Sequence, residues 1–342
     1  EGKRQEALAA MKKLADSSEK RYYNSGERAS RVALLERLAL MYRANEQYSQ
    51  AVDTFRKMAE TDADLAGRAA AQIVETYRAA RDFSRAAAEA DAAASNYPND
   101  RMVILTRATV LADLGRADEA LAEAKKLFRA EGDKDAWFSL AQIHERSKNY
   151  SEMGRALDAY EKLVSGEEDR ATLLFMRGAM YERTKRYDEA EAEFRKALAL
   201  DPDNAAVLNY LGYMLADRDV RLEEAHKMIS RALELDPDNG AYLDSMGWVY
   251  FRMGQLAEAE TYLRRALEEV PHDATVREHL GDVLARRGDL KGAVAEWQRS
   301  IQEWESSAPA EKDAAEIAKI NGKLESAKVR LAQEASSVGR KP

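Results

Sequence analysis

Glycine recurs in the downstream half of this chain at Gly178, Gly212, Gly247 and Gly281, at spacings of 34, 35 and 34 residues, and this period limits the possible folds more than any other feature. Alanine keeps step with it at Ala190, Ala225, Ala259 and Ala293, and Pro202, Pro237 and Pro271 close three of the units. A repeat of this length is one supersecondary unit, too small to bury an apolar face alone, so the units must stack into an array. Length agrees, because 342 residues exceed a usual single-core domain of roughly 100–200.

The small residues have a physical reason. Two helices that cross closely need Gly or Ala at the crossing so that their backbones can approach, while larger side chains fill the space on either side. Gly115, Gly254 and Gly288 all fall at position 15 of their units, where the residue after a helix often turns left-handed.

These columns resemble the tetratricopeptide repeat, a 34-residue helix pair with small residues at positions 8, 20 and 27, large apolar ones at 4, 7, 11 and 24, and Pro at 32. The unit starting at Ala171 carries Leu174, Gly178, Tyr181, Ala190, Phe194, Ala197 and Pro202 at those positions, with Arg177 departing at position 7. The unit starting at Gly240 carries Leu243, Met246, Gly247, Tyr250, Ala259, Leu263, Ala266 and Pro271. The resemblance implies an all-α, right-handed superhelical solenoid of about eight helix pairs, with starts near 32, 67, 101, 134, 171, 205, 240 and 274 across residues 32–305. The unit at 134 deviates most, with Met153 at a small-residue position and 166–169 lengthening its connection.

Residues 1–15, with Met11 and Leu14, read as the second helix of a truncated repeat, and 16–31 as an inserted loop or extension. Because the chain opens on half a unit, at Glu1 and without Met, upstream sequence bearing a leader or lipid anchor is expected. Residues 306–310 read as a linker, 311–335 as a capping helix with Ile317, Ile320, Leu324 and Leu331 on one face, and 336–342 as a disordered tail. The capping helix could alternatively offer a short coiled-coil seam.

Several chemistries drop out. A net charge of −8 argues against nucleic acid, which needs concentrated Lys and Arg. Zero Cys excludes disulfides, thiolate nucleophiles and Cys-based zinc sites. No apolar run reaches the roughly 18 residues that span a bilayer. The sequence holds no phosphate loop, dinucleotide glycine fingerprint, paired zinc-ligand histidines or nucleophile-elbow serine. His144 sits at a core position and reads as a hydrogen-bonded core histidine, His272 and His279 flank a helix start, and the Glu223-Glu224 and Glu268-Glu269 pairs read as solvated helix faces. No catalytic residue, metal or cofactor is expected.

In this repeat family, positions 2, 5, 6, 9, 12 and 13 of each first helix line the concave surface. Here they give Phe138, then Phe175 and Met176, then Asn209, Tyr210 and Tyr213, then Trp248 and Phe251. Contiguous aromatic surface of this kind marks binding sites, and these eight are the candidate partner-binding residues. The alternative is that some of them, Phe251 above all, pack against neighbouring first helices. Upstream the lining is charged, with Glu36, Arg37, Arg43, Arg68, Glu75 and Arg78; downstream it is acidic, with Asp244, Glu278 and Asp282. A ligand with an apolar stretch beside basic residues would suit the downstream end. Neither the family's carboxylate clamp nor its asparagine ladder is reproduced, and Asn209 stands alone.

Residues 208–301 are also similar to the C-terminal repeats of bacterial tetratricopeptide envelope lipoproteins. The shared features are the Leu-Gly-Tyr-x-Leu-Ala-Asp-Arg run at 211–218, a one-residue expansion of that unit, and Asp-Ser-x-Gly-Trp at 244–248. That group includes an adaptor for a carboxyl-terminal processing protease, although no lipobox Cys is present here. The expectation is a non-catalytic scaffold on the periplasmic side of a bacterial envelope, with or without a lipid anchor, that binds an extended or helical segment of another protein. The alternatives are a cytosolic peptide-sensing regulatory module and the repeat part of an enzyme whose catalytic domain lies upstream.

Overall fold

The structure is a computed structural model that describes residues 2–128 and 132–338, with the side chains of 5–128 and 132–334. Two compact units result: residues 1–156 with 308–311, and residues 157–307 with 312–342. All regular secondary structure among the described residues is helical.

The first unit contains α1 (Gly2–Ser17), α2 (Ser25–Ala44), α3 (Tyr48–Thr61), α4 (Ala66–Ala79), α5 (Phe83–Asn96), α6 (Arg101–Asp113), α7 (Ala117–Ala124), α8 (Lys134–Arg146) and the first part of α9 (Tyr150–Glu161). The second contains the rest of α9, then α10 (Glu167–Arg183), α11 (Tyr187–Leu200), α12 (Ala205–Asp217), α13 (Leu222–Leu235), α14 (Gly240–Arg252), α15 (Leu256–Glu269), α16 (Ala274–Arg287), α17 (Leu290–Ser306) and α18 (Ala314–Val338). Eight helix pairs thus run from α2 to α17, flanked by the single helices α1 and α18. This is the all-α repeat fold that the periodicity implies.

The small-residue columns are the helix crossings. A Cβ on Gly178 would come within 2.5 Å of the Phe194 ring, one on Gly212 within 2.7 Å of Ile229, one on Gly247 within 2.6 Å of Leu263 and one on Gly281 within 2.5 Å of Trp297. The four large partners are buried, so each glycine is the space its partner occupies. Upstream the volume is shared differently: Ala39 belongs to the same buried cluster as Phe55, and Val74 to the same cluster as Ala90. Met153, at a position that elsewhere holds Ala, is fully buried, its flexible thioether filling the gap.

The turn inside each pair is the same in all eight. Glu46, Arg81, Gly115, Lys148, Lys185, Asp219, Gly254 and Gly288, each at position 15, have positive φ. The next N–H donates to the carbonyl five residues back, as from Arg186 to Tyr181 or from Gln255 to Tyr250, at 2.8–3.0 Å in every pair. This six-to-one bond satisfies a carbonyl that the helix end leaves open. Five of the eight positions hold side chains that pay for the left-handed conformation. Lys185→Gly is therefore expected to stabilise the protein by roughly 0.5–1 kcal/mol. A rise in the urea midpoint checks this, and a fall would contradict it. In the expanded unit, Arg221 adds a second left-handed residue (φ 49°) before α13, which absorbs the extra residue.

Two expected loops are largely helix. Of residues 16–31, only 18–24 lie outside α1 and α2, because Asn24 and Glu27 form a reciprocal capping box that starts α2 early. Of 166–169, only Gly166 lies outside α10. Glu167, Glu168 and Asp169 extend its first turn, where carboxylates suit the helix dipole. The last helix, α18, runs through Val338, and the final residues 339–342 of the expected disordered tail lie outside the described residues.

Candidate partner-binding face

In the second unit the first helices α10, α12, α14 and α16 stand side by side, and their inward positions carry most of the candidate residues. Phe175 meets Tyr210 edge-on at 5.0 Å, and both lean on the buried Phe194 ring at 6.1 and 6.0 Å, leaving Phe175 and Tyr210 half-buried. Met176 is buried in the core. Trp248, only 8% exposed, is stacked between Phe251 at 4.9 Å and His279 at 4.0 Å, and its indole N–H donates to Asp217 Oδ1 at 3.3 Å. Phe138 lies half-buried on α8, in the first unit.

Between these helices is a cavity of about 410 Å³. Asn209, Tyr210 and Tyr213 line it, together with Glu182, Arg183 and Asp244. Ala241, Ser245 and Thr275 line it with small side chains, and Ser245 holds the repeat position that Tyr210 holds in α12. Asn209 is 8% exposed, yet its side-chain Oδ1 has no hydrogen-bond partner. An unsatisfied buried amide oxygen costs about 1–3 kcal/mol, so in the isolated chain this is a debt that a donor could settle.

The electrostatics are one-sided. Burial, and then Asp244, Asp217, Glu182 and Glu278, push the Tyr213 phenol well above its ordinary pKa, so it stays a protonated hydroxyl. Burial raises Glu182 as well, with Asp217 adding to the effect and Arg183 opposing it. His279 is buried with Nδ1 at 2.9 Å from Asp244 Oδ1. Burial resists its charging, but Asp244, with Glu278 and Asp282, outweighs burial and holds its pKa above the ordinary imidazole value.

That shift makes stability depend on pH. Because the folded-state value lies above the unfolded one of about 6.5, the stabilisation is complete below about pH 6.5 and is lost as pH rises through the folded value. The urea midpoint of the second unit is expected to fall above about pH 6.5, and His279→Gln should flatten that slope. An unchanged slope in His279→Gln would remove His279 as its cause. His144 acts in a different window: burial lowers its pKa, so its stabilisation is lost as pH falls below about 6.5. It is buried as the repeat register implies, and its Nδ1 lacks a hydrogen-bond partner.

The charged linings are largely paired. Upstream, Arg68 bonds Glu36 at 2.6 Å, Arg78 bonds Glu75 at 2.5 Å and Asp113 at 2.6 Å, and Arg43 bonds Gln72 at 3.0 Å. Downstream, Lys323 of α18 donates to Glu278 at 2.7 Å and to both Asp282 oxygens at 2.7 and 2.6 Å. The basic complement expected there is thus supplied in part by the chain itself. Among the described residues, no group of three or more His, Cys, Asp or Glu could hold a metal ion, and no helix is long and apolar enough to cross a membrane.

Glu182, Arg183, Asp217 and His279 were not among the candidates read from sequence. They nonetheless occupy positions 12, 13, 13 and 6 of their units, the same inward register that selected the aromatics. The charge reading that picks out Asp244, Glu278 and Asp282 finds Glu182, Arg183 and Asp217 as well when it is extended to α10 and α12.

Tetratricopeptide repeat profiles match residues 34–69, 105–152, 171–204 and 245–309, together more than half of the chain. The chain belongs to the tetratricopeptide repeat family, whose repeats imply a protein-interaction scaffold, an architecture typical of non-catalytic proteins. No curated protein matches it. Among solved structures, it is similar to yeast Tom70, with a TM-score of 0.63 and 16% identity over 99% of this chain and 76% of that one. It is also similar to the APC/C hetero-tetramer Cut9-Hcn1, with a TM-score of 0.56 and 14% identity over 89% of this chain and 57% of that one. At such identities the likeness is one of fold.

Proposed function

We propose that this chain is a non-catalytic adaptor that holds an extended or helical segment of a partner protein against α10, α12, α14 and α16, and acts by bringing two proteins together in a set orientation. The observation that carries this reading is the cavity beside Tyr210 and Tyr213, where a nine-tenths-buried Asn209 oxygen lacks a hydrogen bond. Half-buried tyrosines beside such a site provide rigid contact area at low entropic cost, as binding hot spots do. Trp248 and Phe251 act behind them by fixing the position of α14.

The similarity of residues 208–301 to bacterial envelope lipoproteins supports a setting on the periplasmic side of the envelope with a lipid anchor upstream, and an adaptor for a carboxyl-terminal processing protease as the particular form. The test is affinity purification from the native host with the wild type and with the Tyr210→Ala/Tyr213→Ala double variant. A partner retained by the wild type and lost with the variant is the expected result, at a cost of about 2 kcal/mol or more in affinity. An unchanged set of retained proteins would reject this face. Cell fractionation tests the setting separately, and recovery of the full-length protein in the cytosolic fraction would reject it.

A further inference from the structure

The hydrogen-bonding groups of the cavity are unequally divided. Ser245 donates its hydroxyl to the Ala241 carbonyl at 2.9 Å, and Asp273 is taken up capping α16 through the Thr275 and Val276 N–H groups. One Asp244 oxygen is occupied by His279. The lining also holds Asn209, whose buried Oδ1 lacks a partner, and the carboxylates of Asp244 and Glu182, the latter 3.7 Å from Arg183. These are acceptors, two of them anionic, and they sit beside two tyrosine rings.

We propose that this cavity receives the cationic head of an arginine or lysine side chain from the partner's segment, with an adjoining apolar residue of that segment lying on Tyr210 and Phe175. This rests on the adaptor reading above and specifies its ligand. A guanidinium or ammonium carries donors and no acceptor, so it suits a lining that holds two carboxylates and an unpartnered amide oxygen, and charge-assisted bonds are the strong ones. The Asn209 amide oxygen gains the donor it lacks, and Glu182, whose ionisation burial disfavours, gains a counter-charge.

The same chemistry is already satisfied nearby within the chain. Lys323 places its ammonium among Glu278 and Asp282 at 2.6–2.7 Å, while Arg252 and Arg286 lie over the Trp248 and Phe251 rings at 6.0 and 5.1 Å. Cations from the protein itself thus cover the acidic and aromatic surface downstream, whereas the cavity beside Asn209 has one cation, Arg183, in its lining. An anionic tail is disfavoured, because it would set carboxylates against Glu182 and Asp244 with Arg183 as the one cation in the lining.

The test is selection of a random heptapeptide library on the full-length chain, followed by fluorescence polarisation of the best peptide with the wild type, Asn209→Ala and Glu182→Gln. The expected result is enrichment of Arg or Lys at one position next to an apolar residue. Each variant should weaken the best peptide about tenfold, the size of a lost bond to a charged group. High salt should weaken it further. Melting curves establish that the variants fold, and Glu182→Gln, at a half-buried site, remains usable if Asn209→Ala does not fold. Selected peptides without a basic preference, or binding indifferent to both variants, would overturn the cation proposal and leave the groove standing. Retention of no peptide would overturn both.

Discussion

Leucine in place of Gly247 should cost the protein roughly 3 kcal/mol or more, the upper end of what overpacking does to a closed core. The helices α14 and α15 cross so closely that even a Cβ would stand 2.6 Å from Leu263 Cγ and 3.2 Å from the Ala259 carbonyl oxygen. Leu263 is fully buried, and a backbone carbonyl gives way only if the whole helix shifts. Urea denaturation followed by circular dichroism measures the effect, with Gly247→Ala as the graded case expected to fall between the two. A midpoint unchanged in Gly247→Leu would mean that the crossing is looser than described.

Alanine at Trp248 should destabilise by roughly 3–5 kcal/mol, as truncations of large buried aromatics do. The ring is held on both faces by Phe251 and His279 and at its edge by Asp217, so its removal leaves a void and strands His279 beside Asp244. Phenylalanine at the same position keeps the stack, loses the indole N–H bond, and should cost closer to about 1 kcal/mol. If Trp248→Ala melts like the wild type, the ring is a surface group after all. The distinction matters for function, because a Trp248→Ala variant that fails to bind would report lost structure, whereas Tyr210 and Tyr213 report the face.

The fold was legible because its determinants are small residues at fixed intervals. Gly178, Gly212, Gly247 and Gly281 mark places where no side chain fits, and a missing side chain is the least ambiguous signal a sequence can carry. The turns were legible only in part. Gly115, Gly254 and Gly288 marked three of them, but Glu46, Arg81, Lys148, Lys185 and Asp219 take the same left-handed conformation, because the six-to-one bond and the packing of the pair impose it on residues that disfavour it.

For the site, the register named the inward positions but not their depth. Trp248 is buried because a ring from the next first helix, His279, lies against it, and nothing within its own unit reveals that neighbour. The cavity was hidden for a related reason. It is lined by Ala241, Ser245 and Thr275, whose small size means little until they are seen to share a cavity with Asn209 and Tyr213.

The identical turns also bear on how the second unit responds to load. Each pair is locked into a stiff hairpin by a bond of the same length and hand, whatever side chain occupies the bend. Compliance is then left to the short joints between hairpins, such as those holding Pro202, Pro237 and Pro271. Such an assembly behaves as a spring of rigid links: a partner pulling on the inward face would change the pitch between links before bending any one of them. Affinity and elasticity would therefore be set by different residues, and selection could adjust either without disturbing the other.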